Sequence, residues 1–129
     1  MEYDCFYNRE LNAVEIATRG TAERTQLDNM LNRAAELCRQ HESANLLIDH
    51  SQLDAGPLKV DEVRSLSWAT VSLQDAFRHR KCAHIAVRDL QFGLVRAWES
   101  LSEIKGLTEL DRMVFRSRDE AIAWLKSIP

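Results

Sequence analysis

The sequence predicts an α/β protein with a mostly parallel, mixed β-sheet, and three observations lead to that prediction. Leu46-Leu47-Ile48 is a short continuous apolar run that stops at Asp49, the pattern of a strand covered on both faces. Segments with helical spacing alternate with short strands along most of the chain. Strands separated by helices need crossover connections, which give parallel pairing. The expected order is ββαβαβαβα, with about five strands and about four helices in one domain of residues 1–129.

The first expected elements are a β-hairpin and a helix. Residues 2–8 and residues 11–18 both alternate apolar and polar side chains around a short polar turn. The next helix is expected to start near Gly20 and Thr21 and to end near His41. Its apolar stripe consists of Leu27, Met30, Leu31, Ala34, Leu37 and Cys38.

The central strand is expected within residues 44–53, and a Gly/Pro loop follows it at residues 54–57. Beyond that loop, helical spacing continues from about Val60 to about Arg80, which predicts one long helix. The side chains expected to line its apolar face are Val60, Val63, Leu66, Thr70, Leu73 and Phe77.

The C-terminal part is expected to add a strand at residues 82–87, a helix at residues 90–105 and a short strand at residues 112–116. Gly106 directly follows this helix, at the position where a glycine commonly ends a helix. Side chains expected to point inward from the helix are Leu94, Ala97, Trp98, Leu101 and Ile104.

A last helix is predicted from a capping box, in which Ser117 is followed three residues later by Glu120. The apolar residues of this helix are Ala121, Ile122, Trp124 and Leu125.

Composition and charge argue against several classes of function. Hydrophobic residues make up 45% of the chain and charged residues 29%, which is typical of a globular protein. The net charge of −3 argues against a general nucleic-acid binder, because such proteins need an excess of Lys and Arg. No apolar stretch approaches the ~20 residues that span a bilayer, and the N-terminus has no signal-peptide pattern. Three widely spaced cysteines suit reduced thiols, so a cytoplasmic location is expected.

The pattern of elements resembles the SpoIIAA-like (STAS/SEC14) family. The matching features are the Leu-Leu-Ile-Asp strand end followed by Ser51 and Leu53, the helix that leaves the Gly56 loop, and the closing Ser-Arg-Asp-Glu-Ala-Ile-Ala-Trp-Leu helix. The resemblance covers residues 11–125. It implies a small STAS-like α/β domain related to anti-sigma-factor antagonists and, more distantly, to CRAL-TRIO lipid-binding domains.

One departure from that family concerns regulation. The antagonist branch carries an Asp-Ser-Ser/Thr-Gly motif whose hydroxyl is phosphorylated at a helix N-terminus. In this chain the comparable loop reads Leu-Asp-Ala-Gly-Pro, with Ala55 where the hydroxyl would stand. We therefore expect no phosphoswitch in this loop, and stoichiometric phosphate on Ser51 in cells would contradict that expectation.

A ligand or partner edge is predicted at the carboxyl ends of the parallel strands, where α/β sheets gather their ligands. Asp49 and Ser51 follow the central run, and Arg88 and Phe92 follow the next strand. Trp68 joins this set because it lies off the main stripe of its helix. It could pack under a neighbouring helix, or face a groove or a membrane surface.

The run Arg78-His79-Arg80-Lys81 is the sharpest charge feature. Cations near a helix C-terminus complement the helix dipole, and that role alone could account for the run. The functional alternative is contact with an anionic surface, such as acidic lipid head groups or an acidic partner protein.

Catalytic and metal sites are not predicted. Asp49, His50 and Ser51 have the residue types of a hydrolytic triad, but neighbouring side chains of a strand point to opposite faces. Asp49 is expected instead to accept backbone N–H bonds nearby. Cys82 and His84 share a strand face, yet with His79 they lack the paired close ligands of a zinc site. No cofactor is expected.

The leading functional hypothesis is a non-enzymatic regulatory or protein-interaction module of the STAS type. The alternative is a carrier or sensor of a small apolar ligand or lipid, with peripheral membrane association at most. In that alternative the helix from Val60 would move on a hinge at Gly56-Pro57, as resemblance to CRAL-TRIO domains implies. Broad burial of the helix, or pairing of two copies in a homodimer, would explain the same apolar surface.

Overall fold

The computed structural model describes residues 1–107 and 109–128, and its described part is an α/β fold built on one five-stranded sheet. The strands are β1 (Glu2–Asn8), β2 (Ala13–Thr21), β3 (Asn45–Asp54), β4 (Arg80–Ile85) and β5 (Leu110–Phe115). The helices are α1 (Arg24–Gln40), α2 (Val60–Ser72), α3 (Gln74–Phe77), α4 (Asp89–Ile104) and α5 (Arg118–Lys126). The prediction of a mixed, mostly parallel α/β sheet is confirmed.

The strands lie in the sheet in chain order, from β1 to β5. β1 pairs antiparallel with β2 as the predicted hairpin, and the remaining pairs are parallel. β3 is therefore the central strand. Leu46, Leu47 and Ile48 are all at most 5% exposed. The prediction that this run is buried on both sides is confirmed.

Two layers of helices cover the sheet. Leu46 and Ile48 pack in the larger core with side chains of α1, α2 and α3, and Trp98 of α4 packs against that core. Leu47 faces the other side, where it packs with Ala121 and Leu125 of α5. Period-two alternation thus sends successive residues of β3 into different cores.

The segment predicted as one helix from Val60 to Arg80 is two helices and the start of a strand, so that prediction was wrong. α2 ends at Ser72, α3 ends at Phe77, and Arg80 opens β4. Thr70 and Ser72 donate their hydroxyls to the carbonyls of Leu66 and Ala69, and such bonds compete with regular helix. His79 then adopts a positive φ of 64°, which turns the chain into β4.

The other boundaries agree with prediction only in part. β3 matches the expected residues 44–53 to within one residue, and it continues past Asp49 because β2 keeps pairing with it after β4 has ended. α1 begins at Arg24 without a side-chain cap, since Gly20 and Thr21 still belong to β2. The predicted C-terminal glycine is confirmed at Gly106, which has φ of 111°. Ser117 caps α5 by accepting the Glu120 N–H at 3.2 Å, as predicted.

The inward face of α4 matches the prediction only in part: Leu94 and Trp98 face the interior as predicted, but other positions differ. Gln91, Val95 and Ser102 are its buried residues, whereas Ile104 is 83% exposed and Ala97 is exposed. Gln91 turns inward because its amide binds backbone groups at the end of β3 and before α4. Val60, expected on the apolar face of α2, is 67% exposed at the first position of that helix.

Ser102 gives a direct test of this packing. Its Oγ is fully buried and has no hydrogen-bond partner among the described residues, whereas Oγ of the equally buried Ser67 donates to the Val63 carbonyl at 3.0 Å. Replacing Ser102 by alanine removes an unpaired polar group, while Ser67→Ala removes a hydrogen bond. We expect S102A to have a free energy of unfolding about 1–2 kcal/mol above that of S67A. Urea denaturation of both proteins measures this difference, and equal stabilities would contradict it.

Candidate functional site

A cavity lies between the sheet and the helices. Its volume is about 100 Å³, and its walls come from β2 to β5, from α1 to α4 and from the loop between β3 and α2. The aliphatic lining includes Ile16, Met30, Ile48, Leu66 and Val95. No Asp, Glu, Lys or Arg is among the described lining residues. The cavity is therefore suited to an uncharged, apolar occupant.

The polar side chains of the cavity wall come from different elements. They are His50 of β3, Cys82 and His84 of β4, Thr70 of α2, and Gln91 and Trp98 of α4. Each lies on the sheet face that packs against α1, α2 and α4, or on the inward side of a helix. The long-range pairing of the strands brings them together, since residue 50 and residue 84 are far apart in sequence.

Alternation along β3 places His50 on the same sheet face as Leu46 and Ile48, and a β-bulge of β3 begins at this residue. Ala17 pairs with Asp49 and Arg19 pairs with Gln52, so His50 and Ser51 both stand opposite Thr18. Such a bulge re-aims side chains and is frequent beside binding sites. Thr18 Oγ1 lies 2.7 Å from His50 Nδ1 and 3.3 Å from the Asp49 carbonyl oxygen. The hydroxyl thus fixes the imidazole at the irregular point of the strand.

His84 is held by its neighbours on the same sheet face. Its ring is nearly parallel to that of His50, at a centroid distance of 6.0 Å and an angle of 20°. Trp98 meets it edge-on with centroids 5.1 Å apart. Cys82 Sγ lies 3.9 Å from His84 Nδ1. Two imidazoles are thereby placed side by side in the cavity wall.

Burial keeps both imidazoles neutral. It lowers the pKa of His50 to about 4, although the nearby Asp49 carboxylate opposes the change. It lowers the pKa of His84 to about 3, and the charges on His50 and Arg112 add to that effect. Burial also raises the pKa of the Cys82 thiol well above its usual range. At neutral pH the site therefore holds two uncharged imidazoles and a protonated thiol.

The predicted ligand edge is partly assembled. Asp49 accepts the Ser51 N–H at 2.8 Å, which confirms the expected local role of its carboxylate. Gln91 connects the end of β3 to the start of α4, because its amide nitrogen donates to the Leu53 carbonyl at 2.7 Å. Arg88 is exposed just before α4, and Phe92 lies under the Arg116 guanidinium, 4.4 Å from its ring centroid.

Trp68 lies elsewhere. It is 56% exposed, and the ammonium of Lys105 sits 5.0 Å from its ring centroid. Lys105 follows the C-terminus of α4, whereas Arg88 precedes its N-terminus, and a helix of 16 residues is about 24 Å long. The structure therefore does not bring Trp68 to the edge formed near Ser51.

Two side chains of the basic run, Arg80 and Lys81, form hydrogen bonds within the protein. Arg80 is 8% exposed and donates to the carbonyls of Cys38, His41, Ala44 and Ala76. Lys81 donates to the carbonyls of Trp124 and Ser127 at the end of α5. Arg78 and His79 are exposed and lie 3.4 and 3.5 Å from the Glu109 carboxylate. Arg80 and Lys81 thus donate hydrogen bonds to carbonyls near helix C-termini. Contact with an anionic surface stays a prediction for Arg78 and His79.

The described part of the chain contains no cluster of candidate metal ligands. No group of three His, Cys, Asp or Glu side chains there is placed to hold an ion, and His79 is exposed while Cys82 and His84 are buried. The prediction from sequence names His50 and His84 but does not place them together, and it does not include Thr18 or Gln91 in a site. A polar residue at a position where the apolar pattern predicts burial is the sequence feature that could have indicated them.

Comparison with protein-family models, curated proteins and solved structures finds no match to this chain. The resemblance to the SpoIIAA-like family thus stays a prediction from sequence. Within residues 1–107 and 109–128, every helix is too short or too polar to traverse a bilayer.

Proposed function

We propose that this chain is a non-catalytic binding domain that holds a small apolar molecule in the sheet–helix cavity, as a carrier or sensor. The cavity supports this proposal, because protein interiors pack densely and voids larger than a water molecule are few. An apolar cavity of about 150 Å³ stays dry and takes up benzene. The volume here is about 100 Å³, close to that size range.

The chemistry of the polar wall favours binding over catalysis. A general base works best when its pKa lies near the operating pH. The lowered pKa values of His50 and His84 make both imidazoles weak bases at neutral pH. Asp49, which precedes His50 in sequence, accepts the Ser51 N–H with its Oδ1. These contacts support the non-catalytic part of the proposal.

Benzene and cyclopentane serve as probes of binding. A molecule that binds only the folded state raises its stability by RT ln(1 + [L]/Kd). We expect either probe to raise the thermal midpoint of the wild-type protein in a concentration-dependent way. Native mass spectrometry of gently purified protein adds an unbiased readout, because a co-purifying small molecule would support a carrier. The absence of any probe effect on the midpoint would overturn the proposal.

A matched pair of variants on α1 locates the binding site. Ala34 lines the cavity, whereas the neighbouring Ala35 is equally buried without lining it. Ala34→Val should fill free space, so we expect a change in unfolding free energy below about 1 kcal/mol and a loss of at least about fivefold in benzene affinity. Ala35→Val should overpack the core and cost about 1–3 kcal/mol with benzene affinity retained. Equal effects of the two variants on benzene binding would contradict this location.

The STAS-type interaction module remains the second candidate. Exposed apolar side chains on two adjacent helices favour it: Trp68 of α2 is 56% exposed and Ile104 of α4 is 83% exposed. Lys105 bridges the helices, since its ammonium also lies 3.3 Å from the Arg64 carbonyl oxygen. Native mass spectrometry separates the candidates. A protein bound in stoichiometric amount, and lost in Trp68→Ser, would support the module.

A further inference from the structure

We infer that the cavity selects a neutral apolar molecule with a single carbonyl-type hydrogen-bond acceptor, which the imidazoles of His50 and His84 bind through Nε2–H. This inference rests on the proposed function and names the ligand class of the same cavity. It follows from an account of every polar group in the cavity wall.

Most polar atoms of the wall are already engaged. The Gln91 amide nitrogen donates to the Leu53 carbonyl, and its oxygen accepts the backbone N–H groups of Val87 and Arg88. Trp98 Nε1 donates to Thr70 Oγ1 at 3.2 Å. The Thr70 hydroxyl in turn donates to the Leu66 carbonyl at 2.8 Å. The N–H and O–H donors of these groups are therefore already engaged.

The two imidazoles differ from the other polar groups. Each uses Nδ1, toward Thr18 in one case and Cys82 in the other. Neither Nε2 atom has a hydrogen bond within the part of the chain that the structure describes. An aliphatic ligand that covered Nε2 would remove this atom from water without giving it a partner, so a ligand atom that pairs with Nε2 is favoured over an aliphatic one.

Nε2–H donors require Nδ1 of each ring to act as an acceptor, and the contacts at Nδ1 allow this. The contact of 2.7 Å between Thr18 Oγ1 and His50 Nδ1 is shorter than the 3.3 Å contact between Oγ1 and the Asp49 carbonyl oxygen, so we place the Thr18 hydroxyl proton toward Nδ1. Neutral His50 then carries its own hydrogen on Nε2. The protonated Cys82 thiol can donate to His84 Nδ1 in the same way. Both rings then present an Nε2–H donor.

The required ligand follows from two N–H donors in an uncharged wall. A carbonyl oxygen accepts two hydrogen bonds and brings no charge into the cavity. A carboxylate or an ammonium group would be desolvated without an oppositely charged partner, because the described lining contains none. The cavity volume limits the remainder of the molecule to about the size of a small ring.

The test compares cyclopentanone with cyclopentane, which has the same ring without the acceptor. Dissociation constants come from titrations followed by ¹H–¹⁵N NMR on the wild type, His50→Phe and His84→Phe. We expect each variant to weaken cyclopentanone binding by about tenfold or more and to change cyclopentane binding by less than about twofold. Leu58→Met, a volume-conserving change in the lining, should affect both probes alike.

A readout on the wild-type protein makes the test independent of variant folding. Imidazole ¹⁵N shifts should report hydrogen on Nε2 of both rings, and those Nε2 signals should move on addition of cyclopentanone but little with cyclopentane. Butyrate and cyclopentylammonium should not bind at neutral pH. If cyclopentane binds while the histidine variants shift both ring probes equally, or if butyrate binds more tightly than cyclopentanone, the inference fails and the proposed function survives. If neither ring compound binds, the proposed function fails as well.

Discussion

Replacing Arg80 by methionine is expected to cost on the order of 3–5 kcal/mol of unfolding free energy. The guanidinium joins the end of α1, the start of β3 and α3, because it donates to carbonyls in all three places. Methionine would remove the guanidinium donors from all four carbonyls, and among the described residues only those of Cys38 and His41 would keep the backbone N–H donors of His41 and Ala44. Lysine should recover little, because an ammonium cannot reproduce the planar arrangement of the guanidinium donors.

Arg78→Met is the matched control for Arg80. Arg78 lies two residues earlier, is exposed, and makes one ion pair with Glu109 at 3.4 Å. Its replacement should change stability by less than about 0.5 kcal/mol. Urea denaturation at neutral pH measures all three proteins. Similar losses for Arg78→Met and Arg80→Met would show that the charge of the run, and not the buried hydrogen bonds of Arg80, stabilises the fold.

Acid is expected to destabilise the protein well above the pH at which carboxylates are protonated. His50 and His84 are neutral in the folded state, with pKa values of about 4 and about 3, but each binds a proton in the unfolded chain below about pH 6.5. The unfolded state thus binds more protons, and stability falls as pH falls. Between pH 6.5 and 5 the loss should reach roughly 1.5 kcal/mol for each histidine.

Denaturation midpoints at pH 7.5, 6.5, 5.5 and 5 measure this dependence. His84→Phe removes one of the two titrating groups and should show about half of the wild-type loss between pH 6.5 and 5. Three charged groups act on the two histidines besides burial: Asp49 raises the pKa of His50, whereas Arg112 and protonated His50 lower the pKa of His84. A stability that stays constant from pH 7.5 to 5 would mean that both imidazoles titrate alike in the folded and unfolded chains.

The sequence by itself determined the parts of the fold that depend on local periodicity. The hairpin, the buried run of β3, the C-terminal glycine of α4 and the Ser117 cap were all predicted and are confirmed. Each depends on residues close together in the chain: alternation places side chains on opposite faces, and caps satisfy nearby backbone groups. The division of residues 60–80 into α2, α3 and β4 was missed, because their spacing fits one long helix equally well.

Only the tertiary structure decided the candidate site. The bulge opposite Thr18 exists through the pairing of β2 with β3, and the nearness of His50 to His84 through the pairing of β3 with β4. Arg80 looked like a surface cation, yet it is buried because backbone carbonyls of distant segments converge on its guanidinium. Contacts between distant segments leave no periodic trace in the sequence, so the cavity and its polar wall appear only when the sheet is assembled.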